Sequence, residues 1–468
     1  MQISASYRLT DSGALRKGFA EVGIGDNEFI VFSELMDSKS LFLTANADTV
    51  YFWGNVSLAE GPMVVETPPN SLGVMDDFWF RWVGDFGLPG PDRGNGGRYL
   101  LVPEGYDGPL PEGGLFIYRS RTSLVTLLGR AFLQDDDPAP AVATIREHLK
   151  VYPYAPGGFG SSVGQYLQGR APLGPVAPPA PPRFVEGSGL VLNTIPSNDF
   201  GHYELLDELV QHESAEALDP ELAGQFAAIG IRKGEKFQPD ARLRAILEDA
   251  VAVGNGAGRT LAVGAHPDDG WRFYDEPSAW WNPLFEGGYE FLDPPPNLAP
   301  EGTVEPFPSL HTRRLHSRTA MFYTATGITP AMCMRLTNVG SQYLVANVDA
   351  NGAPFDGAKT YRMVLPAGIP AAKFWSTTVY DNQSRSMLET RQRYPRAGSQ
   401  GYPTPAAEQD ADGSTTIYFS PEQPQGVHPG NWIQTDPTKG WFQILRLYFP
   451  LPSFFEKTWR AGEVDLVE

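Results

Sequence analysis

Cysteine is almost missing from this chain: Cys333 stands alone among 468 residues. No intrachain disulfide can form, and neither a thiolate zinc site nor an iron–sulfur cluster can be assembled. Positive charge is also scarce, with 36 Lys+Arg against 55 Asp+Glu and a net charge of −19. Nucleic acid and anionic membranes are held by clustered Lys and Arg, so neither is expected as a main partner. No apolar run is long enough to predict a transmembrane helix. The opening residues, Met1 to Arg8, lack the apolar stretch of a signal peptide. The chain therefore reads as soluble, cytoplasmic as it stands and exported if a signal was removed before numbering. No Walker A motif occurs, and no G-x-G-x-x-G follows a strand.

What the chain has in excess is Gly (50) and Pro (43), about a fifth of all residues against an average nearer ~12%. Both interrupt helices, which argues against a bundle. The 12% aromatic and 41% hydrophobic content excludes a disordered polymer. Many short strands joined by Gly/Pro turns satisfy both facts.

The text along the chain is β-rich, then helical, then β-rich. Met63 to Val65, Tyr99 to Val102 and Leu115 to Tyr118 are apolar runs next to Gly or Pro, and a short helix is expected after Pro140. Residues 171–183 hold six prolines and read as an extended, exposed linker. In the middle, Leu205, Leu206, Leu209 and Val210 fall at helical spacing. Asp219-Pro220-Glu221 and Asp240 open two further helices, and Gly230 and Gly327 act as stops. From residue 340, five β-branched and aromatic runs recur with turn signals at Asn351-Gly352 and Asp412-Gly413. The expected architecture is mixed and β-dominated. A β-rich N-terminal domain (1–170) leads through a Pro-rich linker (171–190) to a mainly helical region (191–335). A C-terminal antiparallel β-sandwich of jelly-roll type (336–468) follows.

Two familiar motifs are weakened by their surroundings. Gly160-Ser161-Ser162-Val163-Gly164 spells a nucleophile elbow, but Pro156-Gly157-Gly158 precedes it where a strand is needed; a loop is the simpler reading. Ala265-His266-Pro267-Asp268-Asp269 resembles the zinc-binding opening of the N-acetylglucosaminyl deacetylases. Gly270 replaces the usual Glu, and His311 with His316 does not complete a ligand set. No metal and no cofactor is called for. His311 to Arg318 forms a basic island, more simply the solvated start of a helix than an anion site.

The strongest local text mixes aromatic rings with short polar groups: Asn46 to Trp53, Asp76 to Asp85, and Asn431 to Thr435. Such mixtures suit a pocket for a neutral or sugar-like organic ligand, in which rings stack and amides orient. A buried ion pair and Asx turns holding a β fold are the plainer alternative.

Together these segments resemble a bacterial family of paired domains. Residues 46–51, 61–65 and 97–103 are similar to the domain of unknown function 1254. Residues 373–381, 412–414, 431–435 and 440–448 are similar to the domain of unknown function 1214. The resemblance implies a β-rich N-terminal region, a helical middle and a C-terminal sandwich; it implies no reaction.

Two functions remain open. In the first, a hydrolase acts on a small organic substrate. Asp48 and Asp85 divide the acid and base roles, with Arg81 paired to Asp85 to hold it ionised. This requires both carboxylates at one cavity, about 5–10 Å apart. Tyr51, Trp53, Arg98, Asn431 and Trp432 would bind the substrate. In the second, the pocket of a binding or scaffold protein holds a small-molecule ligand without turnover. A homo-oligomer is compatible with either.

Overall fold

The computed structural model describes residues 3–156, 167–169, 179–263, 271–275, 278–282, 284, 288–293 and 312–467. The Gly160–Gly164 motif, the His266–Asp269 segment, His311 and most of the Pro-rich run lie outside them.

The N-terminal half supplies ten strands: β1 (Phe29–Val31), β2 (Thr49–Ser57), β3 (Met63–Glu66), β4 (Ser71–Asp77), β5 (Trp82–Gly87), β6 (Arg98–Pro103), β7 (Phe116–Ser120), β8 (Leu124–Phe132), β9 (Lys150–Pro153) and β10 (Phe184–Glu186). They form a six-stranded sheet in the order β10-β1-β2-β8-β4-β5 and a four-stranded sheet in the order β7-β6-β3-β9. Strand β10 falls inside the stretch expected to be linker. Residues 179–183 are irregular as expected, but Phe184 to Glu186 then pair in parallel with β1 and extend the sheet edge.

Side chains alternate across a strand, and this sorts the six-stranded sheet into two faces. Phe52 and Phe86 lie on one face, with ring centroids 6.0 Å apart, and Phe86 meets Tyr99 of the neighbouring sheet at 6.5 Å. The register places Phe52, Gly129, Gly73 and Phe86 in one row across β2, β8, β4 and β5. The two glycines are required there. A Cβ on Gly129 would lie 2.0 Å from the Phe52 ring, and one on Gly73 2.1 Å from the Phe86 ring. Tyr51 and Trp53 point to the opposite face.

After a two-stranded ladder of β11 (Leu292–Asp293) and β12 (Thr312–Arg313), the C-terminal half folds into two four-stranded sheets. One is β13-β19-β15-β16, from β13 (Ser341–Ala346), β15 (Ala371–Asp381), β16 (Arg396–Gly398) and β19 (Trp441–Pro450). The other is β18-β17-β14-β20, from β14 (Tyr361–Leu365), β17 (Thr415–Ser420), β18 (Trp432–Gln434) and β20 (Val464–Leu466). All pairings are antiparallel except β17 with β18. Leu344, Trp375, Val379, Leu445 and Leu447 of the first sheet meet Met363, Ile417, Phe419 and Ile433 of the second in one buried core. The sandwich is therefore as expected, with one parallel pair added.

The other face of β13-β19-β15-β16 packs on the Tyr51 face of the N-terminal sheet. Val345, Tyr380, Phe442 and Ile444 share a single core with Tyr51 and Trp53. The β regions thus stack as four successive layers, and the two expected domains share a core.

Helices flank this stack. The middle region gives α3 (Gly201–His212), α4 (Pro220–Ala227), α5 (Ala241–Val263), α6 (Leu315–Thr324) and the short α7 (Pro330–Cys333), after α2 (Ala139–His148). Asp240 caps α5 through a 2.7 Å bond from the Leu243 amide to its carboxylate, and Gly230 and Gly327 have positive φ. One helix departs from expectation. Helix α1 (Ile3–Glu21) opens the chain, where β structure was anticipated, and packs on α3 and α6. It is buried on nearly every side, Thr10, Asp11 and Ser12 included, so it carries no amphipathic stripe to reveal it.

Candidate ligand-binding site

Asp48 ends the turn that launches β2. Asn46 builds that turn: its carbonyl accepts from the Asp48 amide at 3.0 Å and the Thr49 hydroxyl at 3.2 Å, while its amide donates to Tyr51 Oη at 2.6 Å. The Asp48 carboxylate reaches across the layer boundary. One oxygen accepts from Ser376 at 2.7 Å and Tyr448 at 3.0 Å. The other lies 2.9 Å from Arg396 Nε, with both side chains fully buried; this contact is an ion pair without hydrogen-bond alignment. Asp48 is thus neutralised and enclosed.

Close by, each facing sheet contributes a tyrosine–arginine cross-strand pair. Tyr51 lies opposite Arg130 in β2 and β8, and Tyr343 opposite Arg446 in β13 and β19. Together they line a cavity of about 110 Å³ between the layers. Phe42, Trp53, Trp281, Leu284 and Ile444 supply apolar walls, and Ala320, Met321 and Thr324 of α6 close one side. Arg446 donates one hydrogen bond, from Nη2 to the Thr44 carbonyl at 2.8 Å. Its Nη1, Trp53 Nε1 and Thr324 Oγ1 are buried with no hydrogen-bond partner. Desolvation works against charge on both arginines, and the facing tyrosine oxygens, with the Asp48 carboxylate beside Arg446, favour it. Burial raises the Tyr51 and Tyr448 hydroxyls, keeping them neutral donors at pH 7. No ion pair joins Arg130 or Arg446 to a carboxylate among the described residues.

A larger groove of about 1200 Å³ lies where Ala14 and Lys17 of α1 face Glu204 and Glu208 of α3 and Arg244 of α5. It is an open, mixed-charge surface without buried unpaired groups, so the enclosed cavity is the stronger candidate.

The expected carboxylate pair does not share this cavity. Asp85 is opposite Val74, Val74 opposite Leu128, and Leu128 opposite Trp53, five residues along from Asp48. Three strand spacings and five residues of rise separate the two by roughly 20 Å. The expected Arg81–Asp85 pair also gives way to another. Arg81 Nε bonds Asp77 at 2.5 Å, because a tight turn places Asp77 under the Trp79 and Arg81 amides. Asp85 accepts from neutral donors, Trp82 Nε1 at 3.1 Å and Thr329 Oγ1 at 2.7 Å. Burial pushes its carboxyl up to about 6, with both hydrogen bonds opposing.

Of the expected binding residues, Tyr51 and Trp53 line the cavity and three do not. Arg98 is exposed at the start of β6. Asn431 bonds the Glu408 amide and the Glu408 and Thr416 carbonyls, locking a turn. Trp432 Nε1 donates to Ser420 in the outer sheet. Sequence reasoning passed over Arg130, Tyr343 and Arg446. The signal was there: an arginine at an inward position within Leu127 to Phe132, and another within Ile444 to Tyr448. A charge in otherwise buried strand text is the informative exception.

Among the described residues, no group of His, Cys, Asp and Glu converges as metal ligands do, and no helix is long and apolar enough to cross a membrane. No functionally curated protein matches the chain. A crystal structure of a Vibrio parahaemolyticus protein is similar over 100% of this chain and 98% of its own, with TM-score 0.53 at 18% identity. Another, from Burkholderia cenocepacia, aligns with TM-score 0.42 at 13% identity over 99% and 87%. Residues 27–153 match the protein of unknown function DUF1254 and residues 340–452 the protein of unknown function DUF1214. The chain belongs to the family in which these two domains follow one another.

Proposed function

We propose that the cavity between the two β regions binds a small organic anion, such as a carboxylate on an apolar or aromatic body. The observation that carries this reading is the Arg130–Arg446 pair: two guanidiniums lining the cavity with no carboxylate ion pair among the described residues, the buried Arg446 retaining an unsatisfied N–H. A planar carboxylate matches the guanidinium fork. Tyr51 and Tyr343 add hydroxyl groups, and Trp53, Trp281 and Leu284 take the apolar body. Arginines here favour an anion over the neutral ligand expected from sequence.

The reading is of a binding protein rather than a hydrolase. The described lining holds no carboxylate, histidine or lysine to serve as a base near pH 7. The test is thermal shift and calorimetry with benzoate, phenylacetate and their uncharged amides. The acids should raise Tm and the amides should not, with at least a tenfold loss of acid affinity in Arg130→Gln. Equal stabilisation by acid and amide would sink the proposal.

A further inference from the structure

Helix α6 has two working faces. Ala320, Met321 and Thr324 border the cavity just described, whereas Leu315, Arg318 and Phe322 border a separate cleft of about 560 Å³. Four arginines line that cleft in a chain of net charge −19: Arg8 from α1, Arg81, Arg313 and Arg318. Two have a donor buried without an acceptor, Arg8 Nε and Arg81 Nη2, although Arg81 already pairs with Asp77. The acids at the cleft, Asp219, Glu221 and Glu290, are exposed. They form a rim while Arg318 is buried. Asp219 pairs outward with Arg121.

The cleft also has an aromatic wall. Trp82 is one of the few exposed large apolar side chains, at 39%, and stands edge-on to Tyr289 at 5.3 Å. Its indole is fixed by the bond to Asp85. We propose that this cleft is a second site, which takes a phosphate monoester attached to an aromatic ring. The arginines hold the dianion and Trp82 packs against the ring. Burial, then repulsion from neighbouring arginines, lowers Arg318 to about 9; burial lowers Arg8 to about 10, opposed by Asp77 and reinforced by Arg81 and Arg313. Each is still charged at pH 7, so a bound dianion relieves an existing repulsion. This site is independent of the cavity reading and stands if that one fails.

Calorimetry with phenyl phosphate, inorganic phosphate and phenol on the full chain tests the assignment. Phenyl phosphate should bind at least tenfold more tightly than inorganic phosphate, and phenol should not bind. Arg8→Gln should weaken phenyl phosphate at least tenfold, and Arg130→Gln, in the other cavity, should leave it unchanged. Arg313→Gln and Trp82→Ala serve as second variants at exposed positions, where folding is checked by their melting curves. Unchanged phenyl phosphate affinity in folded Arg313→Gln and Trp82→Ala would overturn the proposal, as would no binding at all by the unmodified protein.

Discussion

Two charged centres sit on one boundary between β layers and are handled in opposite ways. Around Asp48, Arg396 supplies the countercharge at one oxygen, and Ser376 and Tyr448 donate to the other. Arg130 and Arg446 enter no ion pair among the described residues, and a cavity opens beside them. A matched buried charge is structural cement: its removal strands the partner, and its presence leaves nothing for a ligand to do. An unmatched pair beside empty space is unfinished, and a ligand can complete it. The lesson concerns acid residues as much as arginines. Asp48 looks like a catalytic group in the sequence, and its surroundings show it already spent.

The comparison breaks first at Asp48. Asp48→Asn should cost about 3–5 kcal/mol in urea unfolding, because Arg396 is left buried and uncompensated. A loss below about 1 kcal/mol would show that the centre is not cement.

Asp85 gives the next largest effect, and it depends on pH. Its folded value of about 6 stands above the ordinary 3.8, so folding takes up a proton between these limits. The stability this group contributes is complete below about pH 4 and is lost as pH rises through about 6, a change of roughly 3 kcal/mol at most. Asp85→Asn keeps an acceptor for Trp82 and Thr329 and should remove this slope. Unfolding midpoints at pH 4.5 and 7 for protein and variant measure it, and an unchanged difference refutes the assignment. Asp85→Asn strands no arginine, since Arg81 pairs with Asp77.

Arg446→Gln sharpens the contrast. It removes a charge outside any ion pair and one hydrogen bond to Thr44, so the stability loss should be about 1 kcal/mol, while benzoate affinity falls at least tenfold. If the loss equals that of Asp48→Asn, the two centres are one network. Arg98→Ala, at an exposed strand end, should shift stability by less than about 0.5 kcal/mol and leave ligand affinity unaltered.

Much of the fold was legible because short-range rules decide it. The runs at 361–365 and 415–419 are strands because Tyr361, Met363 and Leu365, like Thr415, Ile417 and Phe419, fall at every second position, and Asp219-Pro220 starts a helix because Pro at its first position gives up no hydrogen bond. What escaped depends on distance. Helix α1 hides because tertiary packing buries it all round. The Tyr51–Arg130 and Tyr343–Arg446 pairs meet only when two sheets nearly 300 residues apart in sequence face each other. Asp76, Asp77 and Asp85 crowd one short segment with Arg81, and only the turn geometry selects Asp77 as the partner.

The row Phe52–Gly129–Gly73–Phe86 acts as a key that fits one lock. A slip of β2 by one residue would drive the Phe52 ring into Leu128 or Arg130 in place of Gly129, and the pairing would be rejected during assembly. The same fit ties mutations together. Gly129→Ala has no room while Phe52 is present and gains it when Phe52 is shortened to Leu, so the double variant should be milder than the sum of the singles. In diverging relatives these positions are expected to change as couples, and a lone exchange at either glycine would mark a sheet that has lost its key.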